Sequence, residues 1–95
     1  MAGYLIVQIE VSDAEAFEVY KDEAAPTVAA YDGEYIVRGG ELEVLEGGWP
    51  LPRTVVIRFP SVERAKAWYN SPEYVGPKAI RQSASSGNMI IIEGV

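Results

Sequence analysis

Tyr35-Ile-Val-Arg-Gly-Gly-Glu-Leu-Glu-Val44 is the stretch on which the fold turns. Two short runs, apolar at alternate positions, flank Gly39-Gly40. A glycine pair reaches φ > 0 without a Cβ clash, so the segment reads as two antiparallel strands, Glu34–Arg38 and Glu41–Glu46, joined by a tight turn. That pairing sets Arg38 opposite Glu41 at the tip, an ion pair across the hairpin.

Working outward towards the N-terminus, Tyr4–Val11 is β-branched and apolar and reads as a buried strand. Ser12 and Glu15 have capping-box spacing, which predicts a helix from Asp13. Phe17, Tyr20, Ala24, Val28 and Tyr31 form its apolar stripe. Pro26 inside that stripe predicts a kink or a break, and Asp32-Gly33 ends the helix.

Towards the C-terminus, Gly47–Pro52 is a loop and Arg53–Phe59 a strand. Ser61 caps a helix carrying Val62, Ala65, Trp68 and Tyr69. Ser71-Pro72 opens a second short helix towards Arg81, disturbed near Gly76-Pro77. Ser83–Asn88 reads as a polar loop and Met89–Glu93 as the last strand. The order β-α-β-β-α-β, with one extra helical piece, is that of a ferredoxin-like α+β protomer with an antiparallel sheet and its helices on one face. Five strand-like runs compete for four places, which predicts one short edge or hairpin strand beyond the basic set.

Ninety-five residues make a single domain, 1–95, and 48% hydrophobic residues suffice for a core. A domain of this size leaves apolar surface that association would cover. The formal charge of −6 argues against nucleic acid and anionic membrane as partners, since both select a basic face. The chain has no cysteine and no histidine. Thiolate catalysis, thiolate metal sites, a histidine general base and histidine-ligated haem or zinc are therefore excluded. No spacing suggests a metal site or a phosphate loop, and no cofactor is expected. The N-terminal residues lack the pattern of a signal peptide, no apolar run reaches spanning length, and a cytoplasmic protein is expected.

Alternation separates the two faces of the sheet. Leu5, Val7 and Ile9, then Tyr35, Val37, Leu42 and Val44, then Val55, Ile57 and Phe59, then Ile90 and Ile92 are assigned to the helix side. The other side is mixed, with Ile6, Gln8, Ile36, Arg38, Val56, Arg58 and Ile91. Such a face is too apolar for solvent and too polar for a core. A homodimer with two sheets face to face, enclosing a partly polar cavity, satisfies both observations.

Tyr35-Ile-Val-Arg-Gly-Gly-Glu41, Arg53-Thr-Val-Val-Ile-Arg-Phe-Pro-Ser61, Ala67-Trp-Tyr-Asn-Ser-Pro-Glu-Tyr74 and Ala79-Ile-Arg81 follow one another in an order that resembles the domain-of-unknown-function 1330 family over essentially the whole chain. The resemblance implies a dimeric α+β barrel built from ferredoxin-like protomers. Its wider superfamily includes small monooxygenases, lactone isomerases and haem enzymes beside members without known activity. Members of the family often carry a carboxylate directly before Phe-Pro-Ser, where this chain has Arg58.

The candidate ligand-binding residues are Arg38, Glu41, Arg58, Trp49, Tyr20 and Trp68. Arg38 and Glu41 can anchor an anion or simply pin the hairpin, an exposed pair being worth under about 1 kcal/mol. Trp68, with Tyr69 and Tyr74, can stack a planar ligand or anchor the core. Trp49 lies in a Gly/Pro loop, where it can reach a second subunit or cover a pocket. Tyr20, Tyr31 and Asp22 can supply acid–base groups if a neighbour shifts their pKa values. Arg53 and Arg81 are expected to pair with the surplus acids. The sequence thus supports a small homodimer with a cavity for an organic anion or polar aromatic. A cofactor-independent monooxygenase or isomerase is the alternative reading, and a pure interaction dimer without a ligand is the third.

Overall fold

Residues 3–11 are β-branched or apolar at alternate positions and form β1 (Gly3–Val11) at the middle of the fold. The computed structural model describes residues 1–95. After β1 come α1 (Ala14–Ala30), β2 (Glu34–Arg38), β3 (Arg53–Phe59), α2 (Val62–Tyr69), α3 (Pro72–Ala84) and β4 (Ser85–Glu93). The four strands form one antiparallel sheet in the order β2-β3-β1-β4, the ferredoxin-like arrangement.

The helix starts follow from side-chain capping of orphan amides. The Asp13 carboxylate accepts from Ala16 N–H at 3.1 Å, so the cap of α1 lies one residue after the expected Ser12. Ser12 Oγ donates instead to the Ala84 carbonyl at 3.0 Å, tying the end of β1 to the end of α3. Ser61 and Ser71 cap α2 and α3 as expected, accepting from Arg64 N–H and Tyr74 N–H. Helix α1 ends in a Schellman turn, with Gly33 N–H on the Val28 carbonyl and Asp32 N–H on Ala29. The left-handed residue there is Asp32, at φ 64°. Gly33 is needed for space, because a Cβ would strike Val28 and Phe59. Neither internal proline ends its helix: α1 runs through Pro26 and α3 through Pro77. Each removes one hydrogen bond, and Pro77 is itself buried.

Five expectations about the strands are corrected. First, Glu41–Glu46 is not a strand, so the fifth run disappears. The partner of β2 is β3, reached by an arm of residues 39–52 whose positions 41–50 are all exposed. Second, Arg38 lies opposite Val55 rather than Glu41. The Arg38–Glu41 ion pair is absent, since the chain's two salt bridges are Lys21–Glu18 and Arg64–Asp32. Third, β2 carries a bulge between Tyr35 and Val37. One extra residue reverses the faces beyond it, which puts Val37 on the open side and Arg38 on the helix side. Fourth, α3 extends to Ala84 and β4 begins at Ser85, where a loop was expected. Fifth, the faces of β4 are the reverse of those expected: the register places Met89 opposite Val7 and Ile91 opposite Leu5, facing the helices, while Ile90 and Ile92 are exposed on the other side.

The core lies between the sheet and the helices. Leu5, Val7 and Ile9 of β1, Val55, Ile57 and Phe59 of β3, and Trp68 and Tyr74 of the helices are all buried. Trp68 stacks on Tyr74 with ring centroids 4.0 Å apart and leans on Phe59 at 5.6 Å. Its indole N–H donates to Thr27 Oγ1 at 3.0 Å, so the polar atom is satisfied where the ring is buried. The molecule measures 34 × 31 × 16 Å, one sheet and one helix layer with nothing on the second face of the sheet. No helix is long and apolar enough to cross a membrane.

Candidate ligand site

Helix α1 makes its closest backbone approach to α3, whereas α2 lies directly on β1. A cleft therefore remains between α1 and the end of the sheet where β2 finishes and β3 starts. It is lined by Phe17, Tyr20 and Lys21 of α1, Tyr35 and Arg38 of β2, Arg53 and Val55 of β3, and Trp68 of α2. The enclosed volume is about 30 Å³, about the room one water takes up.

The polar groups around this cleft are arginines, tyrosines and Lys21, whose ammonium is paired with Glu18 at 3.1 Å. Arg53 is in phase with Val55, Ile57 and Phe59, so it leaves β3 towards the helices. Its guanidinium sits 5.4 Å from the centroid of Phe17, and its buried Nε has no hydrogen-bond partner. Gly39, at φ 72°, makes room for it, since a Cβ at that position would meet the guanidinium. Gly39 N–H is held by the Thr54 carbonyl at 2.8 Å. Arg38 lies over the ring of Tyr35, 4.4 Å from its centroid.

Behind the cleft the Tyr20 and Tyr74 hydroxyls are 2.9 Å apart, and Arg81 Nε donates to the Tyr74 hydroxyl at 3.2 Å. Burial pushes the Tyr20 phenol far above its usual pKa, and neighbouring Tyr74 adds to the shift. Burial raises Tyr35 as well, against the opposing charge of Arg38. For Arg81, burial disfavours the cation, but Tyr74 and Tyr20 favour it, and the pKa is raised. No carboxylate pairs with Arg38, Arg53 or Arg81. The expected pairing of Arg53 and Arg81 with surplus acids is therefore not found. Such a cluster can hold an anion, and the raised phenols of Tyr20 and Tyr35 stay neutral donors at physiological pH.

The six residues singled out in the sequence divide among three places. Tyr20, Arg38 and Trp68 line the cleft. Glu41 and Trp49 lie in the arm, along an open groove of about 440 Å³ where the Trp49 indole donates to Thr54 Oγ1 at 3.0 Å. Arg58 is exposed on the open face, across from Tyr4 and Glu34 on the neighbouring strands. The arm groove is the larger, but its charged groups are the acids Glu41, Glu43 and Glu46 and it brings no cation inward. The smaller cleft is where the chemistry converges. Tyr31, another acid–base candidate, lies outside it, with its hydroxyl on Glu73 at 2.9 Å. That hydrogen bond raises its pKa, while the carboxylate of Glu73 is lowered by a backbone hydrogen bond and by Tyr31. Tyr35 was not read from the sequence as a site residue, Arg53 was expected only to pair with an acid, and Tyr74 was weighed only as a stacking partner of Trp68. The signal for Arg53 was its phase with the apolar side of β3.

No group of three acidic, histidine or cysteine side chains is placed to hold a metal ion. The family model for the domain of unknown function DUF1330 matches residues 2–95. The chain belongs to the DUF1330 family. No curated protein matches it. Among solved structures, this DUF1330 chain is similar to RPA0582, a protein of unknown function from Rhodopseudomonas palustris, with TM-score 0.81 and 17% identity over 99% of this chain and 82% of that one. It is also similar to SnoaB, a cofactor-independent oxygenase from Streptomyces nogalater, with TM-score 0.64 and 10% identity over 99% and 93% of the two chains. A dimeric protein of unknown function with a ferredoxin-like fold from Bacteroides fragilis matches with TM-score 0.58 and 16% identity over 98% and 96%. At these identities the likeness shows the fold alone.

Proposed function

We propose that this DUF1330 protein is a homodimer that binds a small aromatic anion in the cleft between α1 and the sheet. The observation that carries the ligand reading is the convergence of Arg38 and Arg53 on a cleft lined by Tyr20 and Tyr35, with no acid paired to either arginine. A buried guanidinium nitrogen without a partner carries a desolvation cost that an incoming carboxylate or phenolate offsets. The tyrosine and phenylalanine rings supply flat apolar walls. The closed cleft holds about one water, so a ring enters by moving Tyr20 or Tyr35 outward.

The dimer rests on the second face of the sheet. Ile6, Val37, Val56, Ile90 and Ile92 lie there together, with Val37, Ile90 and Ile92 each more than a third exposed. An apolar patch of that kind marks an interface, and the likeness to a dimeric protein of the same fold supports it.

A second reading is favoured by the likeness to SnoaB: a cofactor-independent oxygenase in which the same arginines hold the oxyanion of an electron-rich hydroxyaromatic substrate. Titration calorimetry with salicylate and with neutral salicylamide tests the ligand reading. Salicylate is expected to bind more tightly than salicylamide, with the difference lost in Arg53→Gln. Equal binding of the two compounds contradicts an anion site. Oxygen uptake with hydroxyaromatics, absent in Arg53→Gln, distinguishes the enzyme from the binding protein.

A further inference from the structure

Three cations line the cleft: Lys21, Arg38 and Arg53. Lys21 is already paired with Glu18 at 3.1 Å, which leaves the two guanidiniums without an acid. Arg38 lies opposite Val55, and Arg53 stands two residues before Val55 on the same side of the sheet. The arginines are therefore diagonal neighbours on adjoining strands, with Cα atoms about 7–8 Å apart. Like charges that close repel, and no acid of the fold neutralises them. They also differ in depth. Arg53 Nε is buried and unpartnered, whereas Arg38 is exposed. Each guanidinium lies near an aromatic ring, Arg53 5.4 Å from Phe17 and Arg38 4.4 Å from Tyr35.

We propose that the cleft selects a dianion: a flat ring bearing two carboxylates, one held deep by Arg53 and the other at the mouth by Arg38. The proposal rests on the anion reading above and names the class of ligand within it. A single carboxylate matches one guanidinium and leaves the second charge unpaired, whereas two carboxylates on one ring match both. The enclosed space of about 30 Å³ suits the carboxylate end beside Arg53, and the ring follows where a wall gives way. Tyr20 is tied to Tyr74 at 2.9 Å, so Tyr35, whose hydroxyl has no partner, is the wall that moves. Arg38 then exchanges the ring of Tyr35 for the second carboxylate. The formal charge of −6 repels a dianion more than a monoanion, so a preference for the dianion comes from these two side chains.

Titration calorimetry on the full chain with isophthalate and with 3-carbamoylbenzoate tests this, because the two compounds share a shape and differ by one charge. Isophthalate is expected to bind about 5-fold more tightly at low salt, with the difference shrinking at high salt as the exposed Arg38 pair is screened. Arg38→Gln should abolish the difference and leave 3-carbamoylbenzoate unaffected. Arg53→Gln should weaken both compounds about 30-fold. An unchanged near-ultraviolet signal from buried Trp68 verifies that each variant is folded. Equal affinity of the two compounds for the wild type overturns the dianion and leaves the anion reading standing. A preference that survives Arg38→Gln, or binding of salicylate alone, does the same. No binding of salicylate or of either test compound overturns both.

Discussion

Tyr74→Phe is the sharpest perturbation of the site's scaffold, because it deletes one oxygen and leaves the ring. The hydroxyl takes a hydrogen bond from Arg81 Nε at 3.2 Å and shares another with Tyr20 at 2.9 Å. The ring remains stacked on Trp68, so no cavity term enters. Arg81 is only 9% exposed, and its charged N–H loses its partner where water has little access. A hydrogen bond to a charged group contributes about 2 kcal/mol and the bond to half-buried Tyr20 about 1, which gives a loss of about 3 kcal/mol. Against a domain stability of about 5–15 kcal/mol this is large. Urea unfolding at fixed protein concentration reads it as a lower midpoint with an unchanged slope. Tyr20→Phe should cost about 1 kcal/mol, and the double variant less than the sum, as expected of residues sharing one bond. A loss below about 0.5 kcal/mol for Tyr74→Phe, the size of an ordinary surface change, would refute the buried network.

Three further outcomes follow from the same geometry. Unfolded Tyr20 releases its proton near pH 10, while the folded phenol, its pKa raised by burial, holds it to higher pH. Its contribution is therefore complete below about pH 10 and is lost as the pH rises further, and Tyr20→Phe should flatten that alkaline decline in thermal melts. Asp13→Ala removes the cap on Ala16 N–H and should lower stability by about 1 kcal/mol, while Ser12→Ala acts on a different bond, to the Ala84 carbonyl. Gly39→Ala forces a Cβ onto the Arg53 guanidinium at φ 72°; calorimetry should show about 1 kcal/mol of lost stability together with weaker salicylate binding.

Much of the fold was legible because the sequence repeats its signals. β1 and β3 alternate cleanly, Ser61 and Ser71 cap as read, and the family motifs run in order along the chain. What was not legible has identifiable causes. Alternation in Glu41–Glu46 encodes two faces but not a partner, and without one the segment is an arm. The bulge in β2 leaves no mark in composition, yet it moves Arg38 from the open side to the cleft. Met89-Ile-Ile-Ile is apolar at every position, so period two cannot say which side faces the helices, and the register with Leu5 and Val7 decides it. Ser85–Asn88 is polar in composition but gains ladder bonds from β1, which outweigh its weak strand propensity. For the site, Tyr20 and Arg38 were legible as residue types. Their meeting with Arg53 needed the bulge, the room at Gly39 and the stand-off of α1.

A two-dimensional amide NMR titration with benzoate, phenol and salicylate at millimolar concentration tests the ligand site most directly. Shifts confined to the residues around Phe17–Lys21, Tyr35–Gly39 and Arg53–Val55, strongest for the anions and abolished by Arg53→Gln, are expected. Shifts centred on Ile6, Val56 and Ile90 of the open face, or none with any of the three, would contradict it.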